Sequence, residues 1–485
     1  MINFKIIYKV IGSLLFIEAM MLVYCLCVSL YYGGDDRIAF LVTIAITMGT
    51  GIFLRYCGYH AENSMGRRDA YLLVTLTWVI FSIFGALPFI ISGYIDNYTD
   101  AFFETMSGFT TTGASVIDDV EALPKGLLFW RSMTQWIGGL GIVFFTIAVL
   151  PSLVGGSIRV FSAEATGPIR TKIHPRLSTN AKSIWVVYLS LTIGCTLCMY
   201  ASGLGIFDSL NYSMAITATG GFSTYNDSTG HFHSAAIDYT AIIFMFCSGV
   251  NFTLLYMAIV KGKIKAIFKN SELRLYIGLV LCCTLFITFI LMKDLHLETA
   301  DAFRYALFQV VSFITTTGMF NADAGQWPHI TWVVLCLCMF FGACAGSTSG
   351  GFKCIRGVML FKIAHNEFKH IIHPKAILPV RINGNNVTLT AQTTLLVFFT
   401  LYIATCIFAY FTLTCLGIDS TNSFTIAMSC ASNVGPTLGL EIGPTMSWSI
   451  IPDTGKWICS FLMLMGRLEF FSVLVLFSKA FWKEN

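Results

Sequence analysis

The sequence predicts an all-α polytopic membrane protein in which four repeats of helix, pore helix and helix surround one pore, preceded by two extra N-terminal transmembrane helices. Three observations predict it. Of the 485 residues, 56% are hydrophobic and only 12% charged, against roughly a quarter charged in soluble domains, and the mean hydropathy is +0.73. Apolar runs able to cross about 30 Å of hydrocarbon, roughly 20 residues each, recur along the whole chain. A short string ending in glycine also recurs between pairs of such runs: Thr110-Thr111-Thr112-Gly113, Thr217-Ala218-Thr219-Gly220, Thr315-Thr316-Thr317-Gly318 and Ser432-Asn433-Val434-Gly435.

The first apolar run, 6–30, is too long for the core of a signal peptide, and no small-residue cleavage site follows it, so it reads as a retained span. With the run 38–55 it forms the extra pair, residues 1–60. The repeats then occupy 61–160, 161–270, 271–380 and 381–485. Their flanking spans are 70–93 and 128–150, 183–206 and 238–260, 274–293 and 330–364, and 390–416 and 456–480.

Ten spans put both termini on one side, and the loop charges test that topology. Lys5, Lys9, Arg55, Arg67, Arg68, Arg159, Arg170, Lys172, Arg176 and Lys182 fall on that side. So do Lys261, Lys263, Lys265, Lys269, Arg274, Lys369, Lys375, Arg381, Lys479 and Lys483. Basic loops mark the cytoplasmic face, which accounts for the net charge of +4 without a nucleic-acid partner. The other side carries Asp35, Asp36, Asp96, Asp118, Asp119, Glu121, Asp227, Glu298, Asp323, Glu441 and Asp453, an acidic entrance that would concentrate cations.

Each glycine string follows a segment too short to span, and each segment opens near an aspartate: Asp100, Asp208, Asp301 and Asp419. An acidic residue there satisfies free amides and the positive end of the helix dipole, leaving the negative end aimed inward, where a cation is favoured. The glycine then permits backbone conformations in which successive carbonyls turn toward one axis and replace an ion's hydration shell. Irregular backbone at membrane depth is tolerated only where protein or a water-filled path surrounds it.

Other constellations carry no chemistry of their own. Cys195, Cys198, Cys282, Cys283, Cys336, Cys338 and Cys459 lie in apolar runs and read as buried reduced thiols. His365, His370 and His373 sit in a basic loop without metal-ligand spacing. Gly138-Gly139-Leu140-Gly141 has no preceding strand and reads as helix packing, not a nucleotide loop. No convergent nucleophile, base or metal set points to an enzyme. Alternating-access transporters also use broken helices, but with inverted or paired repeats, not four of one orientation.

Two further features stand out within the spans. The run Gly342-Ala343-Cys344-Ala345-Gly346-Ser347-Thr348-Ser349-Gly350-Gly351 interrupts the second span of the third repeat, and its glycines, each costing a helix about 1 kcal/mol, favour an unwound segment. Arg467 lies near the middle of the last span, where a buried arginine needs a partner or water. Glu469, two positions on, points to a different helix face.

Together these residues resemble the potassium uptake family that includes the bacterial TrkH and KtrB proteins and their plant and fungal relatives, and the extra N-terminal spans look more like TrkH. The resemblance implies a potassium filter of backbone carbonyls from Thr111, Thr112, Gly113, Ala218, Thr219, Gly220, Thr316, Thr317, Gly318, Asn433, Val434 and Gly435. Glycine in every loop accompanies potassium preference in that family, whereas serine in the first loop of some plant relatives accompanies sodium transport. The fourth loop departs most, with Ser432-Asn433-Val434 and a following Pro436. The resemblance further implies an intramembrane gate around Gly342, Gly346, Gly350 and Gly351, with Arg467 just below the filter. It implies a homodimer in the bacterial inner membrane, K⁺ as the transported ion and no cofactor in this chain. A separate cytosolic nucleotide-binding ring subunit of TrkA type would regulate it, and the basic loops Arg159–Lys182, Lys261–Lys269 and Lys369–Arg381 are candidate docking surfaces for that ring. A sodium-permeable pore or a symporter coupled to H⁺ or Na⁺ is the alternative.

Overall fold

The computed structural model describes residues 2–61, 65–141, 177–259, 262, 269–376, 378–439 and 442–483. The end of span 128–150, the basic residues Arg159, Arg170, Lys172, Arg176, Lys261, Lys263 and Lys265, and the acidic Glu441 lie outside the described residues.

The N-terminal pair is a helical hairpin, Phe4–Tyr32 and Arg37–Cys57, turned at Gly33 with a φ of +74°. Asn3 caps the first helix by accepting from the Ile6 amide at 3.3 Å, satisfying one of the free donors at a helix start. Asp36, expected at the acidic entrance, is instead fully buried. Its carboxylate accepts from the Ser29 hydroxyl and, at 3.0 Å, from the Leu127 amide, so it ties the hairpin to the first repeat.

Each repeat contributes a long helix, a short one and a return helix. The long helices are Arg67–Ser92, Leu177–Ala201, Ser271–Asp294 and Leu389–Cys415. The short pore helices are Tyr98–Phe109, Ile206–Ala218, Thr299–Ile314 and Ser420–Ser432. Every residue from Ala101 to Phe109 is buried, as is every residue from Thr425 to Ser432. Helices buried all round belong to the centre of an assembly, so the long helices form the outer wall. That wall presents apolar side chains such as Phe53, Leu285, Phe289, Phe408 and Phe411 outward, which suits hydrocarbon and not water.

Of the four aspartates expected to cap the pore helices, only Asp419 does so, accepting from the Thr421 and Asn422 amides at 2.9 and 3.4 Å. Asp100, Asp208 and Asp301 sit within the first turn. Their carboxylates go instead to Lys456, to the Thr224 hydroxyl and to Arg304. They remain close enough to favour the positive end of the dipole, and Asp100 also pins its helix to the return helix that carries Lys456.

The return helices are not the continuous spans the hydropathy suggests. Lys125–Leu140 ends at Gly141. Ala235–Ser248 and Phe252–Ile259 meet at 104°, and Asp453–Arg467 and Phe471–Phe477 at 111°. His329–Phe341 and Cys354–Ile372 are separated by the non-helical residues 342–353. Hydropathy registers an apolar run but not a bend within it. Asn251 restarts the second helix of its pair by accepting from the Thr253 amide at 2.8 Å. Glu469 and Phe470, both at positive φ, end the helix just after Arg467, which therefore sits at the break within the last span. A two-stranded turn, Arg381–Ile382 with Asn385–Asn386, links repeats three and four. Cys198 and Cys282 are exposed on the outer wall, unlike the buried Cys195, Cys338 and Cys459.

Candidate ion-conducting site

The four pore helices end in the same backbone turn, and that turn fixes the true register of the loops. Thr111, Thr219, Thr316 and Asn433 have φ values of 54°, 53°, 57° and 56°. The next residue in each loop donates its amide to the carbonyl five residues back: Thr112 to Ser107, Gly220 to Ala215, Thr317 to Ser312 and Val434 to Ser429, at 2.8–3.0 Å. The third residue is in every case a glycine at positive φ: Gly113, Gly221, Gly318 and Gly435. The second loop therefore runs Thr219-Gly220-Gly221, one residue later than the glycine-string alignment places it. Ala218 is the last residue of its pore helix, packed against Gly139, where an added methyl would stand 2.8 Å from the Ala218 Cα. Two adjacent glycines made the sequence alignment ambiguous, and the αL turn resolves it.

These loops close on one another in order. A methyl at Gly113 would lie 2.1 Å from the Gly220 carbonyl oxygen, and one at Gly221 2.1 Å from that of Thr317. Gly318 stands in the same relation to Val434 at 2.0 Å, and Gly435 to Thr112 at 2.4 Å. Each loop thus abuts the next, the last returns to the first, and only glycine fits at each junction. All of these glycines line one open cavity with Asp118 and Arg131 in its wall.

Side chains behind the ring hold it. Thr110 and Thr112 hydroxyls are 2.9 Å apart, and Thr315 and Thr317 hydroxyls 2.8 Å. In the fourth loop, Asn433 takes over this role by donating to the Thr112 hydroxyl at 3.0 Å and to the Met463 carbonyl at 2.8 Å. Sequence reasoning missed the polar pair Glu104 and Arg131, which is buried and in contact at 2.9 Å. Arg131 also donates to the Ser223 carbonyl and the Ser115 hydroxyl and lies over the Phe222 ring. Glu104 accepts from the Val116 amide at 3.0 Å. One buried ion pair thereby joins the mouths of the first and second loops. Its signal in the sequence was a second charge, beyond the first turn, in each of these two helices.

On the opposite side of the ring lies the segment 342–353. Gly350 donates its amide to the Thr316 hydroxyl at 2.7 Å, and Gly351 donates to the Ser432 carbonyl at 2.9 Å. The Thr348 hydroxyl donates to the Thr217 carbonyl at 3.1 Å. This segment therefore touches the ends of three pore helices. Gly342, Gly346 and Gly351 take positive φ values of 62°, 77° and 73°. Asn251 and Glu272 hold its far side: Asn251 donates to the Ala345 carbonyl, and Glu272 accepts from the Ala345 and Ile355 amides. Arg467 bridges to the fourth helix end. It donates to the Thr111 hydroxyl and Thr348 carbonyl, each at 3.0 Å, and to the Gly138 and Gly139 carbonyls at 2.5 and 2.7 Å. The string Gly138-Gly139 indeed packs closely, since a methyl at Gly138 would meet the Phe109 carbonyl at 1.8 Å. Glu469 pairs with Arg356.

A multi-pass helical protein with pore helices converging on one ring defines a membrane transport protein, not an enzyme. The model of the TrkH family, described as cation transport protein, matches residues 37–484, and the chain belongs to that family. It is 34% identical to the Trk system potassium uptake protein TrkH of Halomonas elongata, over 99% of this chain and all of the relative. It is 34% identical to TrkH and 33% identical to TrkG of Escherichia coli, with 99% of this chain covered in both. The crystal structure of the potassium transporter TrkH from Vibrio parahaemolyticus superposes with a TM-score of 0.88 at 33% identity, covering 99% of this chain and 100% of that one.

Proposed function

We propose that this chain takes up potassium across a bacterial inner membrane, passing the ion through a filter of backbone carbonyls. The filter comprises Thr111, Thr112 and Gly113, Thr219, Gly220 and Gly221, Thr316, Thr317 and Gly318, and Asn433, Val434 and Gly435. The observation that carries this reading is the closed succession of carbonyls and glycines, each loop abutting the next. Carbonyl ligands serve a cation whatever the side chain, so Asn433 and Val434 fit the ring as well as threonine does. Full-length relatives named for potassium uptake support the choice of ion.

Residues 342–353 are the gate in this reading, with Arg467 adding positive charge beneath the filter. The acidic mouth then faces outward and both termini are cytoplasmic. Two copies form a dimer, each with its own pore, and a cytosolic nucleotide-binding ring subunit of TrkA type controls the gate.

The test is ion uptake into proteoliposomes containing this chain alone, comparing potassium, rubidium, sodium and lithium. Uptake that favours potassium and rubidium, and that loses discrimination in Gly113→Ser, supports the filter. Equal uptake of all four ions, or uptake indifferent to Gly113→Ser, overturns it. Sodium-driven or proton-driven accumulation against a gradient would identify a symporter instead.

A further inference from the structure

The second residue of the filter turn is threonine in loops one and three and valine in loop four, but glycine in loop two. The structure supplies the reason. A methyl at Gly220 would stand 2.4 Å from the side-chain carbon Cδ of Gln135. The side chain missing from the loop is replaced by one from the return helix Lys125–Leu140.

Gln135 is completely buried, and its amide is used at both ends. Nε2 donates to the Gly220 carbonyl at 2.6 Å, and Oε1 accepts from the Phe222 amide at 3.0 Å. These two contacts straddle Gly221, the glycine that abuts the Thr317 carbonyl. The carbonyl of Gly220 is the counterpart of those of Thr112, Thr317 and Val434. Among the described residues, hydrogen bonds from a side chain reach only that of Gly220. The ring is therefore asymmetric: among the described residues three of its carbonyls accept no side-chain hydrogen bond, and the oxygen of the fourth is held by Gln135. A restrained carbonyl cannot follow a smaller ion inward, so the ring is held at the width of the larger one.

We propose that Gln135 is a positioning residue for cation discrimination, fixing the Gly220 carbonyl so that the ring cannot contract around sodium. The proposal rests on the filter reading above. Gln135→Ala removes both contacts. Gln135→Glu keeps the acceptor for Phe222 but replaces the donor to Gly220 with a repelling oxygen. Gln135→Ala combined with Gly220→Thr restores a side chain at the second position of the turn but, with Ala218 where loops one and three carry a threonine, neither its hydroxyl partner nor the restraint on the carbonyl.

Potassium and sodium uptake are measured in proteoliposomes for the wild type and these three variants, with the potassium-over-sodium gain in thermal stability of the purified protein as a second readout. The expected result is a fall of at least fivefold in the potassium-to-sodium ratio for Gln135→Ala, a larger fall for Gln135→Glu, and no recovery in the double variant, where the carbonyl stays unrestrained; recovery there would show that Gln135 acts by filling space and would overturn the restraint. A wild type without ion preference sinks the filter reading itself. A wild type that prefers potassium, beside a Gln135→Ala variant with the same preference, overturns the role of Gln135 alone. Should a variant conduct nothing, the stability difference decides: its retention in Gln135→Ala overturns the proposal, and its loss supports it.

Discussion

Arg467 and Thr111 are 356 positions apart in sequence and meet directly beneath the ring, where Nη1 of the arginine donates to the threonine hydroxyl at 3.0 Å. The same nitrogen donates to the carbonyl of Thr348 at 3.0 Å. One guanidinium thus fastens the first loop of the ring to the segment that lies under it.

That placement sets the first prediction. A fixed positive charge about 4 Å from a passing cation raises its energy by about 4 kcal/mol at an effective dielectric of about 20. Arg467→Ala should therefore increase potassium flux, by up to roughly a thousandfold. Arg467→Lys should fall between the two, because it keeps the charge but loses the planar fork that engages four oxygens. Uptake normalised to reconstituted protein measures this; unchanged or reduced flux in Arg467→Ala would give the residue a purely structural role.

The segment itself supplies a second prediction of the same sign. Gly350 needs no unusual backbone conformation, yet a methyl there would stand 2.1 Å from the Ser432 carbonyl oxygen. Gly350→Ala should push the segment off the end of the fourth pore helix and raise basal flux severalfold. A variant that folds normally and conducts no faster than the wild type would show that the segment does not obstruct the path.

Glycines of the ring should behave in the opposite way, and a control exists within the chain. Gly221 and Gly93 both have positive φ, 84° and 75°, so either substitution to alanine carries a strain of order 1–3 kcal/mol. Gly221 faces the Thr317 carbonyl at 2.1 Å, whereas nothing lies within 4 Å of a methyl at Gly93. Gly221→Ala should abolish most potassium uptake, and Gly93→Ala should lower the melting temperature slightly while leaving uptake intact. Equal uptake in the two variants would mean that the ring tolerates widening at this junction.

Much of this was legible in the sequence because it is written in local patterns. Four glycine strings between apolar runs located the loops, and the small-residue run located the break at 342–353. What escaped was of two kinds. The register of loop two was ambiguous because Gly220 and Gly221 are adjacent, and only the αL turn at Thr219 distinguishes them. Partnerships across the chain left no local trace: Gln135 with Gly220, Glu104 with Arg131, and Glu272 with Ala345 join residues 27–85 positions apart. The bends at 104° and 111° were hidden for a related reason, since hydropathy is blind to direction.

The buried ion pair at the mouth yields a prediction about stability that separates it from its neighbour. Glu104 and Arg131 are each at most 3% exposed in their side chains, whereas Asp100, which pairs with Lys456, is 24% exposed. Removing one partner of a fully buried pair leaves a charge stranded and costs about 3–5 kcal/mol, while replacing both with uncharged groups of similar volume is often close to neutral. Arg131→Met should therefore lower the melting temperature in detergent by several degrees. Arg131→Met combined with Glu104→Gln should recover a good part of that loss, because Gln can still accept from the Val116 amide that Glu104 holds at 3.0 Å. Lys456→Met should cost less than Arg131→Met, since water can solvate the Asp100 carboxylate it leaves behind. If the double variant were as unstable as Arg131→Met alone, the pair would act through the shape of the two loop mouths it joins, Ser115 and Ser223, and not through its charge.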